Sequence, residues 1–190
     1  MRSELLIILF HQAIFQGMFF AKNISLRGKI GKQIKGNNRE ANRSICFFAL
    51  FIGLSAVLSC FGTPVGTVRL VTDNTASYLA ILLLFVNLIF GAASLIGMKD
   101  SWRVGVLEGQ HTDLIEEGIY RFSRNPYFVS YLAMFVAYAV LLQNMVLLGL
   151  SFIGFTLIHA MIKKEERHLT EVHGQRYIRY KESAPRYFVV

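Results

Sequence analysis

Apolar residues in this chain come in long unbroken blocks separated by short polar or basic segments. Five blocks can be marked: Leu5–Ala21, Ser44–Gly62, Ala76–Gly97, Tyr127–Leu142 and Met145–Ile162. A helix crossing a bilayer needs about 20 apolar residues, with a range near 17 to 25. The second and third blocks fit that length. The fourth and fifth are short and separated only by Gln143-Asn144, which predicts an antiparallel helical hairpin with a tight turn. Lipid admits only helices or closed barrels, because backbone N–H and C=O groups find no water there. No alternating strand-length pattern is present, so the pattern predicts an all-α polytopic membrane protein with about five transmembrane helices. The first block follows Met1-Arg2-Ser3-Glu4, is too long for a signal peptide and leads into a basic loop without a small-residue cleavage site, so it is expected to be a retained span.

Charge adds an orientation. The segment Lys22–Arg43 holds seven Lys and Arg, Met98–Pro126 holds four and Lys163–Val190 holds seven, which is 18 of the chain's 20. With five spans all three segments fall on one face, and only Arg2 and Arg69 fall opposite. Basic residues mark the cytosolic face. The N-terminus is therefore expected outside, and the C-terminus and active site on the cytosolic side. Hydrophobic residues make up 54% of the 190-residue chain and charged residues 17%, against about 25% charged in a soluble domain. One integral membrane domain over 1–190 is expected. A net charge of +8, divided among segments between spans, points to membrane lipids as partners and away from nucleic acid. Cys46 and Cys60 are 14 residues apart on one predicted helix, roughly 21 Å of rise, so they cannot pair. No Cys/His ligand spacing occurs, and no metal is expected.

The candidate chemistry lies on the basic face. The insertion from Met98 and the tail from Lys163 are amphipathic: Trp102, Val104, Val106, Leu107, Leu114, Ile115, Ile119, Tyr120 and Phe122 punctuate the first, and Tyr177, Ile178, Tyr180, Tyr187 and Phe188 the second. Within the insertion, Asn125-Pro126 suits the start of a helix, with Asn as N-cap and Pro in the first helical position. A helix start beside Arg124 also attracts an anionic group. Glu165 and Glu166 point about 100° apart on a helix, so one is expected to face a ligand and the other a protein partner. Both could equally belong to an ordinary charged interfacial face. Gly174 is a natural helix stop. Tyr177 and Tyr180 share a helix face, which suits interfacial anchors as well as a site. His159 and, more weakly, His11 are ionisable groups inside spans and so candidate functional residues. Asn87 is expected to hydrogen-bond between helices.

The order of these elements carries a resemblance. The run Glu117-Gly118-Ile119-Tyr120-Arg121-Phe122-Ser123-Arg124-Asn125-Pro126-Tyr127-Phe128 precedes the hairpin, and Glu165-Glu166, Leu169, Gly174, Tyr177, Tyr180 and Arg186 follow it. This resembles the isoprenylcysteine carboxyl methyltransferase family and its relatives, the membrane phospholipid methyltransferases. Their pattern is G-x-Y-x-x-x-R-H-P-x-Y, a hairpin, E-E-x-x-L, F-G and Y-x-x-Y, with a Trp upstream like Trp102. The resemblance covers roughly Ser101 to Val190. It divides the domain into 1–97, with three spans and a basic loop, and 98–190, a cofactor-binding core. It departs from the pattern at Asn125, where the family has His, at Phe128, where it has Tyr, and at His173, where Phe is common.

The resemblance implies S-adenosylmethionine bound in a pocket formed by the insertion and the C-terminal helix, with methyl transfer to a lipid-like acceptor from the bilayer. Carried over by motif, Tyr120, Arg124, Asn125, Pro126, Tyr127, Glu165, Tyr177 and Tyr180 would bind cofactor. Arg124, Glu166 and Arg186 would act on the reaction. The Asn at 125 cannot titrate near neutrality, which favours an acceptor needing no base, such as the carboxylate of an isoprenylcysteine-type substrate held by Arg186 or Arg124. A phospholipid amine acceptor, a nicotinamide-dependent membrane reductase and a non-catalytic membrane binding protein are the competing readings.

Overall fold

The computed structural model describes residues 3–30, 39–62, 65–103 and 113–188. Met1, Arg2, Val104, Val106 and Leu107, named above, lie outside them, as does part of the basic segment Lys22–Arg43. Six α-helices follow one another: α1 (Ser3–Ile30), α2 (Arg39–Phe61), α3 (Asp73–Gly97), α4 (Pro126–Leu141), α5 (Met145–His173) and α6 (Gln175–Ser183). The described residues contain no strand, only an isolated bridge between Thr67 and Asn144. α1, α2, α3 and α5 are long and apolar enough to cross a membrane. The chain is thus an all-helical, polytopic membrane protein.

The fifth apolar helix differs from a standard span. α4 has 16 residues, about 24 Å of rise, against a hydrocarbon core about 30 Å thick. Its short length accompanies a central position. Met134, Ala137 and Tyr138 have no exposed surface, and Phe135 only 2%. α3, α5, α2 and α1 surround it, and their outer faces carry the exposed apolar side chains, such as Phe10, Leu50, Phe85 and Phe152. Lipid-facing surface therefore sits on the long helices, and α4 forms the core they enclose.

Helix ends follow local chemistry. Thr72 caps α3 by accepting the Thr75 N–H, and Asn144 caps α5 by accepting from Val146 and Leu147. α5 runs 29 residues, so its apolar part continues without a break into the charged stretch containing Glu165 and Glu166. It stops at Gly174, whose φ of +53° favours glycine. α6 then turns its Tyr177 and Tyr180 face inward against Leu114, Tyr120 and Ala184.

One polar network lies inside the bundle, and the sequence reading gave too little weight to His11 within it. His11 Nε2 is 2.7 Å from Asn87 Oδ1, and its Nδ1 is 2.8 Å from the Tyr138 hydroxyl. Gln12 donates to the same hydroxyl at 2.8 Å, and Asn87 donates to the Ser130 carbonyl at 2.7 Å. The Asn87 oxygen only accepts, so His11 carries its proton on Nε2 and receives one from Tyr138. The network ties α1, α3 and α4 together among buried side chains. Asn87, expected to bond between helices, sits at its centre.

Candidate active site

The segment Gly118–Asn125 is a 3-10 turn followed by a short link into α4. It is held from behind by the C-terminal tail. Arg124 N–H donates to the Pro185 carbonyl at 2.9 Å. Ser123 Oγ and Asn125 Nδ2 both donate to the Arg186 carbonyl at 3.2 Å. Asn125 is the residue before Pro126 at the start of α4, yet its side chain makes no helix cap. Its amide is spent on the tail instead, and Ser123 Oγ accepts the Asn125 N–H at 3.1 Å.

Charge is organised around Glu166, which is 6% exposed. Arg186 grips it through both oxygens, with Nε at 3.0 and 3.1 Å and Nη2 at 2.7 Å. Arg124 Nη1 lies 3.1 Å from Oε1. Glu166 thus bridges two guanidiniums and holds the tail to the α4 entry. It raises the Arg186 pKa through that hydrogen bond. Tyr177 and Tyr180 belong to the same layer. The Tyr180 hydroxyl donates to the Tyr120 carbonyl at 2.7 Å. Burial raises both phenols above the ordinary tyrosine value, and Glu166 adds to the effect at Tyr177.

Glu165, one residue earlier, has the opposite environment. Among the described residues it has no hydrogen-bond or ion partner, and it faces a cavity of about 500 Å³ enclosed by α1, α2, α4, α5 and the α4 entry. Tyr120, Arg124, Asn125, Pro126 and Tyr127 line the same cavity. Glu166, Tyr177, Tyr180 and Arg186 do not; they form the layer behind it. Arg124 spans both layers, and its Nε is buried without a hydrogen-bond partner among the described residues.

Away from these polar groups the wall becomes aromatic. Trp102 is 5% exposed and packs edge-on against Tyr127 with centroids 4.8 Å apart. Its indole N–H donates to Asn23 at 3.0 Å. Tyr127 stacks on Phe15 and meets Tyr131 edge-on. Phe128 also lines the cavity, so losing the hydroxyl of the family's Tyr leaves a ring in that wall. At the far end Gly154 admits Phe47 and Phe135, since a Cβ there would stand 2.6 Å from Phe135 Cε2.

A carboxylate without a partner among the described residues and a guanidinium, set beside an aromatic and apolar wall, fit a small zwitterionic or cationic molecule beside a lipid chain. The sequence matches the phospholipid methyltransferase family over residues 75–176, more than half of the chain. The chain belongs to this family. No curated protein sequence matches it. Membership establishes membrane methyl transfer as the family's chemistry and implies S-adenosylmethionine as donor. It does not separate isoprenylcysteine from phospholipid acceptors. The matched region spans α3, α4, α5 and the α4 entry, and so contains Arg124, Asn125 and Glu165 but neither α1, α2 nor Arg186.

Several cavity residues escaped the sequence reading, among them Gln16, Asn23, Arg27 and Ser44. All come from α1 and α2, outside the motif region. A signal was present: Gln12, Gln16 and Asn23 repeat at intervals of four and seven, which places them on one helix face.

Proposed function

We propose that the protein transfers a methyl group from S-adenosylmethionine to the amine of a membrane lipid. The observation that carries this reading is Glu165, an unpaired carboxylate facing an otherwise largely apolar cavity. A carboxylate so placed is costly unless a cation joins it. S-adenosylmethionine fits the residues present: its positive centres would lie toward Glu165, and its carboxylate toward Arg124, whose Nε is available. When bound it supplies an electrophilic methyl, whose bond to sulfur breaks as the bond to the acceptor forms, leaving a neutral thioether.

The protein then has to position, dry and deprotonate. Glu166 fixes Arg124 and the tail, so it serves as a positioning residue. Trp102, Tyr127 and Phe128 exclude water from the apolar wall, which strengthens each remaining electrostatic contact. An amine must lose a proton before it attacks. Glu165 is the one carboxylate lining the cavity among the described residues, so the proton passes to Glu165.

The carboxylate acceptor expected from the lost histidine has less support in this geometry. Arg186, one of the two guanidiniums expected to hold it, is committed to Glu166 outside the cavity. Such an acceptor would also approach the unpaired Glu165 as a like charge. The distribution of basic residues supports an active site on the cytosolic face.

Calorimetric binding of S-adenosylhomocysteine to the detergent-purified protein tests the cofactor. Micromolar binding is expected, weakened about tenfold or more in Glu165→Gln. No binding to a folded wild type refutes the reading. Turnover assays then pit an amine phospholipid against a prenylcysteine acid, and methylation of the acid alone refutes the amine acceptor.

A further inference from the structure

The cavity is not closed on its α1–α2 side. Phe20, Ile24 and Ile45 line it and are also exposed, at 58%, 71% and 45%. An opening bordered by exposed apolar side chains on two membrane-length helices faces lipid tails, so it is a lateral window. Among the described residues, one charged side chain stands in its rim. Arg27, in the last turn of α1, lines the cavity and is exposed. Its neighbour Lys29 is paired with Asp100 at 3.3 Å. Arg27 has no hydrogen-bond or ion partner among the described residues.

The cavity therefore has an exposed guanidinium, Arg27, in its rim and a carboxylate, Glu165, in its wall, neither of them paired among the described residues. We infer that Arg27 is a specificity-determining residue that holds the phosphodiester of the acceptor lipid at the window. This rests on the amine-methylation reading and sharpens it. A lipid matches the cavity when its anion lies between its chains and its amine, so that Arg27 takes the anion while the amine reaches Glu165. A lipid acid has its anion at the reacting end, where it would meet Glu165 as a like charge. A guanidinium suits a phosphate oxygen pair because it presents a planar fork of donors.

The test measures binding of three short-chain lipids to the purified full-length protein in neutral detergent: a phosphatidylethanolamine, the diacylglycerol with the same chains, and a prenylcysteine acid. The wild type is expected to prefer the phospholipid. Arg27→Leu should remove that preference by about tenfold, and Arg27→Lys should restore part of it. Arg43→Leu, which changes an exposed arginine on α2 that does not line the cavity, should leave it intact. Preference surviving in Arg27→Leu, equal loss in Arg43→Leu, or tighter Arg27-dependent binding of the acid would each overturn the inference. S-adenosylhomocysteine binding is read on the same samples. Its absence with the Arg27-dependent preference intact refutes methyl transfer alone, whereas a wild type that binds S-adenosylhomocysteine but shows no preference for the phospholipid refutes only the role of Arg27.

Discussion

The two ends of the bundle treat their polar groups in opposite ways. At the turn between α4 and α5, the described polar groups find partners in the protein. Gln143 accepts from the Leu70 and Val71 N–H groups through its side chain and from Val68 through its carbonyl, and its amide donates to Asp73. Asn144 caps α5 and donates to the Val65 carbonyl, while Met145 N–H donates to the Gly66 carbonyl. At the other end, among the described residues, Glu165 and Arg27 have no hydrogen-bond or ion partner and Arg124 Nε has no hydrogen-bond partner. Satisfied groups fix a structure, and unsatisfied ones wait for something to bind. The turn end is therefore a structural closure and the other end a binding site. Both contain loops and helix termini, so loop location alone would not have separated them.

The largest predicted effect comes from cutting the link between the site's two layers. Glu166→Ala leaves Arg124 and Arg186 facing each other without a counter-charge. Removing one partner of a buried ion pair costs about 3–5 kcal/mol. The expected result is a large drop in thermal unfolding temperature in detergent together with loss of S-adenosylhomocysteine binding. Glu165→Gln is its control: it should lose affinity and leave stability unchanged or raised, because it removes an unpaired buried charge. Equal destabilisation by both variants would show that the two carboxylates are not divided between structure and ligand.

Next comes a change at the opposite end. Gly66 has φ +75°, and a Cβ there would stand 2.6 Å from Val146 Cγ2. Gly66→Ala combines backbone strain with a clash and should destabilise by about 1–3 kcal/mol. Affinity for S-adenosylhomocysteine in the folded fraction should not change. A large loss of affinity would mean that the two ends are coupled rather than separate.

The hydrophobic pattern made the helices legible because block length and polarity are local properties. The bounds of α2, α3 and α4 lie within five residues of their apolar blocks. α1 and α5 extend further, through Lys22 to Ile30 and through Lys163 to His173, because a helix does not end where hydrophobicity does. The 100° step alone put Glu165 and Glu166 on different faces, without saying which of them meets Arg124 and Arg186. The cavity's α1 and α2 walls were not, since no local rule brings Asn23 to Trp102, 79 residues away. The layering of Tyr177, Tyr180 and Arg186 behind the cavity was also hidden. A motif names the residues near a site without saying which of them face a ligand and which hold the others. His11 was undervalued for a similar reason, since its partners Asn87 and Tyr138 come from other helices.

The smallest effect tests whether the tail belongs to the site end as a rigid part. Beyond Arg186, the Tyr187 hydroxyl meets His159 Nδ1 at 2.8 Å, and Phe188 packs edge-on against Phe90. Tyr187→Phe deletes that hydrogen bond and keeps the ring, so the loss should be about 0.5–1.5 kcal/mol. The tail carbonyls of Pro185 and Arg186 accept bonds from Arg124, Ser123 and Asn125, so loosening Tyr187 should reach the α4 entry. S-adenosylhomocysteine affinity is therefore expected to fall by a few-fold. Stability loss without any change in affinity would mean that Glu166 and the backbone bonds suffice to seat Arg124. The tail beyond Arg186 would then belong with the structural end of the comparison, although it lies beside the site.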